Sequence, residues 1–303
     1  MAGQLAGTPV SMLGCDEREV ELAAALLALG ADLHLVGFPE AGPLTKALHF
    51  RQAKQAVLGA RAVIAPMSST DAAGRVVSHM AEEDLVIDLT EVIPLLPGGT
   101  PLLIGVARPV IRGLAAQYNL RLVEMAEIDE IAVLNSIPTA EGAIQVAMEN
   151  TAVTIHNSRC LVLGFGRCGS TLARSLYALG AHVTVAARSA KDLAGAFALG
   201  CEPLPLASLQ RHWDFDIIFN TIPAMVLPRS YLRQLSRDTV IIDIASGPGG
   251  TDFTAAQQLG LKAIHALSLP GRVAPKTAAA ILVKTVPRLL ENLLGEEDHG
   301  SER

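Results

Sequence analysis

Gly164, Gly166 and Gly169 stand in G-x-G-x-x-G order within LVLGFGRCGSTLARSLYALGAHVTVAARS, residues 161–189. An apolar run precedes them and a helical pattern follows, which is the context that gives this spacing its meaning. Gly164 permits a tight turn, and Gly166 lets backbone come close to a pyrophosphate. Gly169 lets the helix pack on its strand, and the helix N-terminus attracts the phosphate charge. The stretch therefore predicts a dinucleotide site, with Phe165, Arg167 and Cys168 as the other residues of the turn. A tight turn without a ligand is the plain alternative. The next apolar run ends Ala187-Arg188-Ser189, where an acid would hold a ribose 2′-hydroxyl. An arginine there pairs with a 2′-phosphate, and Ser189 can add a hydroxyl contact. This predicts NADP, with NAD possible; a solvated surface arginine is the alternative.

Ligands of open parallel sheets sit beyond the carboxyl ends of the strands. Several segments leave such ends here. NTIPAMV carries Thr221, Ile222 and Pro223 and would flank the nicotinamide ribose. DIASGPGGTDF carries Asp243 and Ala245, and LSLPGRVAPKTA carries Arg272 and Lys276, two cations suited to substrate carboxylates or merely solvated. NSIPT places Asn135, Ser136 and Thr139 around an expected helix N-terminus, an anion site or a simple cap. GCDERE offers Asp16 and Arg18, and PMSSTD offers Ser68, Ser69 and Thr70, with Asp16 equally suited to cap a helix. Cys168 reads as a small filler of its turn. The eight histidines form no cluster, and the four cysteines show no C-x-x-C spacing, so no metal is expected.

These residues need a scaffold, and the sequence supplies one. In the first half Val10–Leu13, Leu33–Val36, Ala62–Ala65, Leu85–Asp88 and Leu102–Gly105 read as strands. In the second half Cys160–Leu163, His182–Ala186, Asp216–Asn220, Val240–Ile244 and Leu261–His265 do. Helical patterns alternate with them, which predicts parallel sheets covered on both faces. DEREVELAAALLALG puts Val20, Ala23, Ala24 and Leu27 on one face and stops at Gly30. Pro138–Val153 reads as a crossing helix with Pro138 in its first turn. The expected fold is two Rossmann-like three-layer α/β domains, residues 1–137 and 138–303, with the cofactor domain C-terminal. A long final helix, about residues 273–295, would return to the first domain; Pro287 would kink it, and GEEDHGSER would be a solvated tail.

The 303 residues are 50% hydrophobic, 18% charged and 4% aromatic, so the core must be aliphatic. The net charge of −6 and the lack of a basic block argue against nucleic acid. No signal-like start or apolar run of about 18 residues is present, so a cytoplasmic, reduced protein without a membrane span is expected.

Taken together, GCDERE, PMSSTD, NSIPTAEGAI, TIHNSRCLVLGFGRCGSTLARSLYALGAHVTVAARS, NTIPAMV, DIASGPGGTDF and LPGRVAPKTAAAIL resemble one family, the A-subunit of dipicolinate synthase from spore-forming bacteria. Cys15 stands where that family carries a second glycine. The resemblance implies a layout similar to D-2-hydroxyacid and alanine dehydrogenases. It implies NADP-dependent oxidation of a dihydrodipicolinate-type precursor to dipicolinate during sporulation, in an oligomer with a flavoprotein-like B-subunit. On that reading Arg18, Arg272 and Lys276 are candidates for the two carboxylates, with Ser68, Thr70, Ser136 and Thr139 assisting. Asp16, Glu141 and Asp243 are candidates for a general base. Two other readings stay open: a non-catalytic NADP(H)-binding scaffold or sensor, and a stand-alone 2-hydroxyacid or amino-acid dehydrogenase.

Overall fold

A strand that is apolar on both faces must be covered on both faces, and this chain carries two sets of such strands. The computed structural model describes residues 5–68, 70–78, 80 and 84–300, with backbone alone for 296–300. Its elements run β1 (Pro9–Leu13), α1 (Glu17–Ala28), β2 (Asp32–Val36), β3 (Leu48–His49), α2 (Ala53–Ala56) and β4 (Ala62–Ile64). Then come β5 (Arg75–Ser78), β6 (Leu85–Asp88), α3 (Leu89–Val92), β7 (Pro101–Ile104), α4 (Pro109–Gln117), β8 (Arg121–Glu124) and α5 (Asp129–Asn150). The second half holds β9 (Arg159–Leu163), α6 (Arg167–Ala178), β10 (His182–Ala187), α7 (Ala190–Ala198), β11 (Glu202–Pro205) and β12 (Ile217–Asn220). It ends with α8 (Arg229–Leu232), β13 (Val240–Asp243), α9 (Phe253–Leu259), β14 (Lys262–His265), α10 (Leu269–Val273) and α11 (Pro275–Gly300).

The chain divides into two units: residues 1–132 with 275–303, and residues 133–274. The change of unit falls inside α5, and α11 packs with the first unit, against α1.

The first unit is a six-stranded sheet in the order β3-β2-β1-β4-β7-β8, all parallel. Leu13, Val36, Val63, Leu102 and Ile104 form one core face with Val57, Ile87 and Ile111. Met12, Leu33, Leu35 and Leu103 are buried on the alternate face. On α1 the buried residues are Arg18, Glu19, Leu22, Ala23 and Leu26, so the helix is turned from the expected Val20–Leu27 stripe. The alanine- and leucine-rich run fits either setting, and docking against α11 decides between them. Leu85–Asp88 forms a strand as expected, but outside the main sheet. It pairs antiparallel with Arg75–Ser78 in a separate two-stranded ribbon.

The second unit repeats the plan in the order β11-β10-β9-β12-β13-β14, again all parallel. Cys160, Val162, Val185 and Phe219 face α5 and α6, whereas Leu161, Leu163 and Ile218 face Tyr231, Leu232 and Ala255. Alternate residues of one strand thus belong to two cores, which makes the unit three-layered. In each sheet the direction of strand addition reverses beside the first strand, between β1 and β4 and between β9 and β12. A crevice for ligands opens at such a reversal.

Helix α5 starts at Asp129, well before Pro138, so the proline is interior and not in the first turn. Asp129 and Glu130 supply the acidic first turn that favours a helix start. An interior proline costs about 3 kcal/mol, and burial of the surrounding face offsets it. The terminal helix likewise runs into the segment expected to be a tail, reaching Gly300.

Candidate functional site

The turn after β9 is shaped by what its glycines exclude. Gly164 has φ +94, and a Cβ there would lie 2.5 Å from Thr221 Oγ1. A Cβ on Gly169 would lie 2.3 Å from the Gly164 carbonyl oxygen, so α6 can sit this close to β9 only without a side chain. A Cβ on Gly166 meets nothing within 4 Å. Gly166 also caps α6 with no side-chain hydrogen bond, so the first-turn N–H groups have no side-chain cap. Free donors and free volume coincide, so the residues present fit a dinucleotide pyrophosphate.

Thr221 braces this turn: its Oγ1 and N–H both donate to the Leu163 carbonyl, at 2.8 and 3.0 Å. Ile222 lies beside Gly164, and Pro223 is exposed. Phe165 packs on α7, with its ring where a Cβ on Gly195 would fall. Arg167 is exposed on the first turn of α6. Burial pushes the Cys168 thiol up, with the Arg167 charge opposing, so it stays a neutral thiol. Arg188 is exposed at the end of β10 and has no hydrogen bond or ion pair among the described residues. Ser189 caps α7, its Oγ accepting from the Asp192 N–H at 3.0 Å.

Asp243 is 0% exposed. Its carboxylate accepts from Asn220 Nδ2, the Ala245 N–H, the Gly250 N–H and Thr251 Oγ1, between 2.7 and 3.1 Å. No lone pair is left for a substrate proton, so Asp243 is a clamp for the loop carrying Ala245, in place of the general base expected from sequence. The Ala245 carbonyl is met in turn by His265 Nε2 at 3.0 Å.

The NSIPT residues lie inside α5 and not at its start. Ser136 Oγ lies 2.7 Å from Thr171 Oγ1 on the first turns of α6 and 2.6 Å from the Val133 carbonyl. Thr139 donates back to the Asn135 carbonyl. The Asn135 side-chain oxygen is buried without a hydrogen-bond partner among the described residues. No helix N-terminus exists here to bind an anion. Glu141 is exposed on the same helix, in an apolar depression with Ile144, Met148 and Leu179. Gly142 lets α10 approach, since a Cβ there would meet Val273 at 3.0 Å. Arg272 on α10 and Lys276 on α11 are both exposed, and they belong to different units.

The first unit closes its corresponding helix start with its own acids. Asp16 caps α1 and receives Arg18 Nε and Nη2, the latter at 2.6 Å. Burial disfavours the Asp16 charge, but the Arg18 hydrogen bond and charge outweigh it and hold the carboxyl below the usual range. Glu19 completes a capping box, accepting from the Asp16 N–H at 2.9 Å, and its second oxygen accepts from the Met67 N–H at 2.8 Å. It is 1% exposed, and burial pushes its carboxyl up to about 7, with the Asp16 charge adding and Arg18 opposing. Cys15 sits beside them, its N–H donating to Ser78 Oγ at 3.3 Å and its thiol raised by burial to about 12. Ser68 is half-buried, Thr70 is 1% exposed, and Ser69 lies outside the described residues.

Residues 9–126 match the family described as the dipicolinate synthase A-subunit N-terminal domain. Residues 136–250 match the NAD binding domain of D-isomer specific 2-hydroxyacid dehydrogenases. The dipicolinate synthase A-subunit of Bacillus subtilis (strain 168) is 38% identical over 97% of this chain and 99% of its own. The chain belongs to the dipicolinate synthase A-subunit family. The crystal structure of the family member from Bacillus halodurans superimposes with a TM-score of 0.88 at 36% identity, covering 95% of this chain and 99% of its own. A Sinorhizobium meliloti transhydrogenase shares the fold alone, with a TM-score of 0.64 at 16% identity over 94% of each chain.

Two residues of this dipicolinate synthase family member escape a sequence reading of the site. Glu19 is visible as the last position of the D-x-x-E capping box, but its bond to Met67 joins segments that follow two different strands. Arg108 precedes the proline that opens α4 and looks like an ordinary loop cation, yet its Nε meets the Thr70 carbonyl at 3.3 Å.

Proposed function

We propose that this chain is the NADP-binding component of a cytoplasmic dipicolinate synthase, oxidising a dihydrodipicolinate-type precursor together with a flavoprotein-like B-subunit. Family membership supports the overall activity. The observation that carries the cofactor is Arg188, exposed and unpaired among the described residues at the strand end where a ribose-binding acid would stand. Among the described residues no helix is long and apolar enough to cross a membrane, and no group of acids, histidines and cysteines could hold a metal.

Aromatisation of a dihydropyridine dicarboxylate releases one hydride and one proton. A bound nicotinamide dinucleotide supplies the hydride-acceptor chemistry. The residues of this chain bind and orient. The first turn of α6 holds the pyrophosphate, Arg188 and Ser189 take the 2′-phosphate, and the Thr221–Pro223 segment flanks the nicotinamide ribose. In the first unit, Ser68 and Thr70 are the polar groups offered to the dicarboxylate. Asp243 is sealed and Asp16 is held by Arg18, so the proton leaves to water or to the exposed Glu141. The same lack of a free acid–base pair favours a second reading, an NADP(H)-binding scaffold for the B-subunit.

The test is to follow NADP+ reduction with freshly prepared precursor, using the chain alone and mixed with the B-subunit. Reduction that needs this chain and NADP+ is expected. Tight NADP+ binding without any reduction, even with the B-subunit present, would leave the scaffold.

A further inference from the structure

Arg18 is the obvious cation for a substrate carboxylate in the first unit, but its Nε and Nη2 are engaged by Asp16 and the residue is 6% exposed. Arg108 differs. It follows β7, the strand next to β4, and is exposed at the start of α4, which has no side-chain cap. Its Nε is fixed by the Thr70 carbonyl, while neither terminal nitrogen has a partner among the described residues. Glu124, at the end of β8, is taken by Arg112 at 2.7 Å and accepts the Ala107 N–H.

The loop that carries Thr70 is held from both sides. Glu19 takes the Met67 N–H, and Gly105 presses so close that a Cβ there would lie 2.0 Å from the Met67 carbonyl oxygen. Thr70 is 1% exposed, and its hydroxyl has no hydrogen-bond partner among the described residues. A buried hydroxyl is costly to leave without a partner, so such a group calls for a ligand or water. Here the orphan hydroxyl and the carbonyl that holds Arg108 Nε belong to one residue, Thr70.

We infer that Arg108 and the Thr70 hydroxyl hold one carboxylate of the substrate at the carboxyl ends of β4 and β7. The inference rests on the dicarboxylate reading above and names the residues that set its specificity. A planar fork suits a carboxylate, which accepts two parallel N–H bonds and one O–H bond.

The experiment is calorimetric titration of the full chain with pyridine-2,6-dicarboxylate, in the presence of NADP+. Arg108→Ala should weaken binding about ten- to a hundredfold, Arg108→Lys less, and Thr70→Val about three- to tenfold. NADP+ affinity, titrated separately, should not change in any of them, which guards against a folding defect. Dicarboxylate binding untouched by Arg108→Ala would overturn the role of Arg108 alone. No dicarboxylate binding by the unsubstituted chain, with NADP+ still bound, would overturn the substrate reading and this inference with it.

Discussion

Glu19 Oε1 accepts the Met67 backbone N–H at 2.8 Å, joining the turn after β1 to the loop after β4 through one buried carboxyl. That carboxyl lies at about 7 in the folded chain against an ordinary 4.5. Between those values the folded chain keeps a proton that the unfolded chain has released. The stability from this group is therefore complete below about 4.5 and is lost as pH rises through about 7. Thermal melts across that range should show the midpoint falling with pH, with stability declining by up to about 1.4 kcal/mol for each tenfold drop in proton concentration. Glu19→Gln should remove this component and lower the midpoint throughout, because its amide NH2 faces a backbone N–H. A pH dependence unchanged by Glu19→Gln would show that another group titrates.

Gly166 and Gly169 separate binding from folding. Gly166→Ala puts a methyl into open space at φ −77, so stability should hold or rise by up to about 1 kcal/mol. The same methyl enters the pyrophosphate position, and dinucleotide affinity should fall more than about tenfold. Gly169→Ala should instead lower the melting midpoint, since its methyl meets the Gly164 carbonyl oxygen. Nucleotide titration and thermal melts of both variants check this; equal dinucleotide affinity in Gly166→Ala would place the nucleotide elsewhere.

Arg188→Ala should reduce the preference for NADP+ over NAD+ about ten- to a hundredfold, by loss of NADP+ affinity alone. Dissociation constants for both nucleotides, before and after substitution, measure it. An unchanged ratio would return Arg188 to an ordinary solvated surface residue.

Asp243→Asn retains the size of the side chain but replaces one acceptor oxygen with a donor among four donors. At least one buried N–H or O–H loses its partner, at about 1–3 kcal/mol. The expected result is a melting midpoint lower by several degrees, together with weaker dinucleotide binding as the Ala245 loop loosens. Full stability with activity abolished would instead make Asp243 a reacting group.

Much of this is legible in the chain. The apolar runs that become β9, β10, β12 and β13 are short and continuous because both faces are buried, a local signal. The glycine turn is legible from its local spacing, with Gly169 fitted to the Gly164 carbonyl, although the Thr221 hydroxyl that presses on Gly164 comes from a distant segment. What stays hidden depends on distant partners. Pro138 has the look of a helix start, although the helix begins at Asp129, with Asp129 and Glu130 in its first turn. Asp243 has the look of a base because its donors Asn220 and Thr251 belong to other segments. Arg75–Ser78 is too short and polar to announce a strand, so nothing near Leu85–Asp88 tells that it leaves the main sheet.

The two units start their first helices in opposite ways: α1 is stoppered by Asp16 and Glu19, while α6 opens bare at Gly166. With the strand plan duplicated, a nucleotide meets two crevices of the same topology. A phosphate approaching the first meets a carboxylate and donors already taken, and one approaching the second meets empty donors. The chain thus tells its own halves apart through a single turn in each, and what the duplicated architecture makes equivalent, a pair of acids makes mutually exclusive.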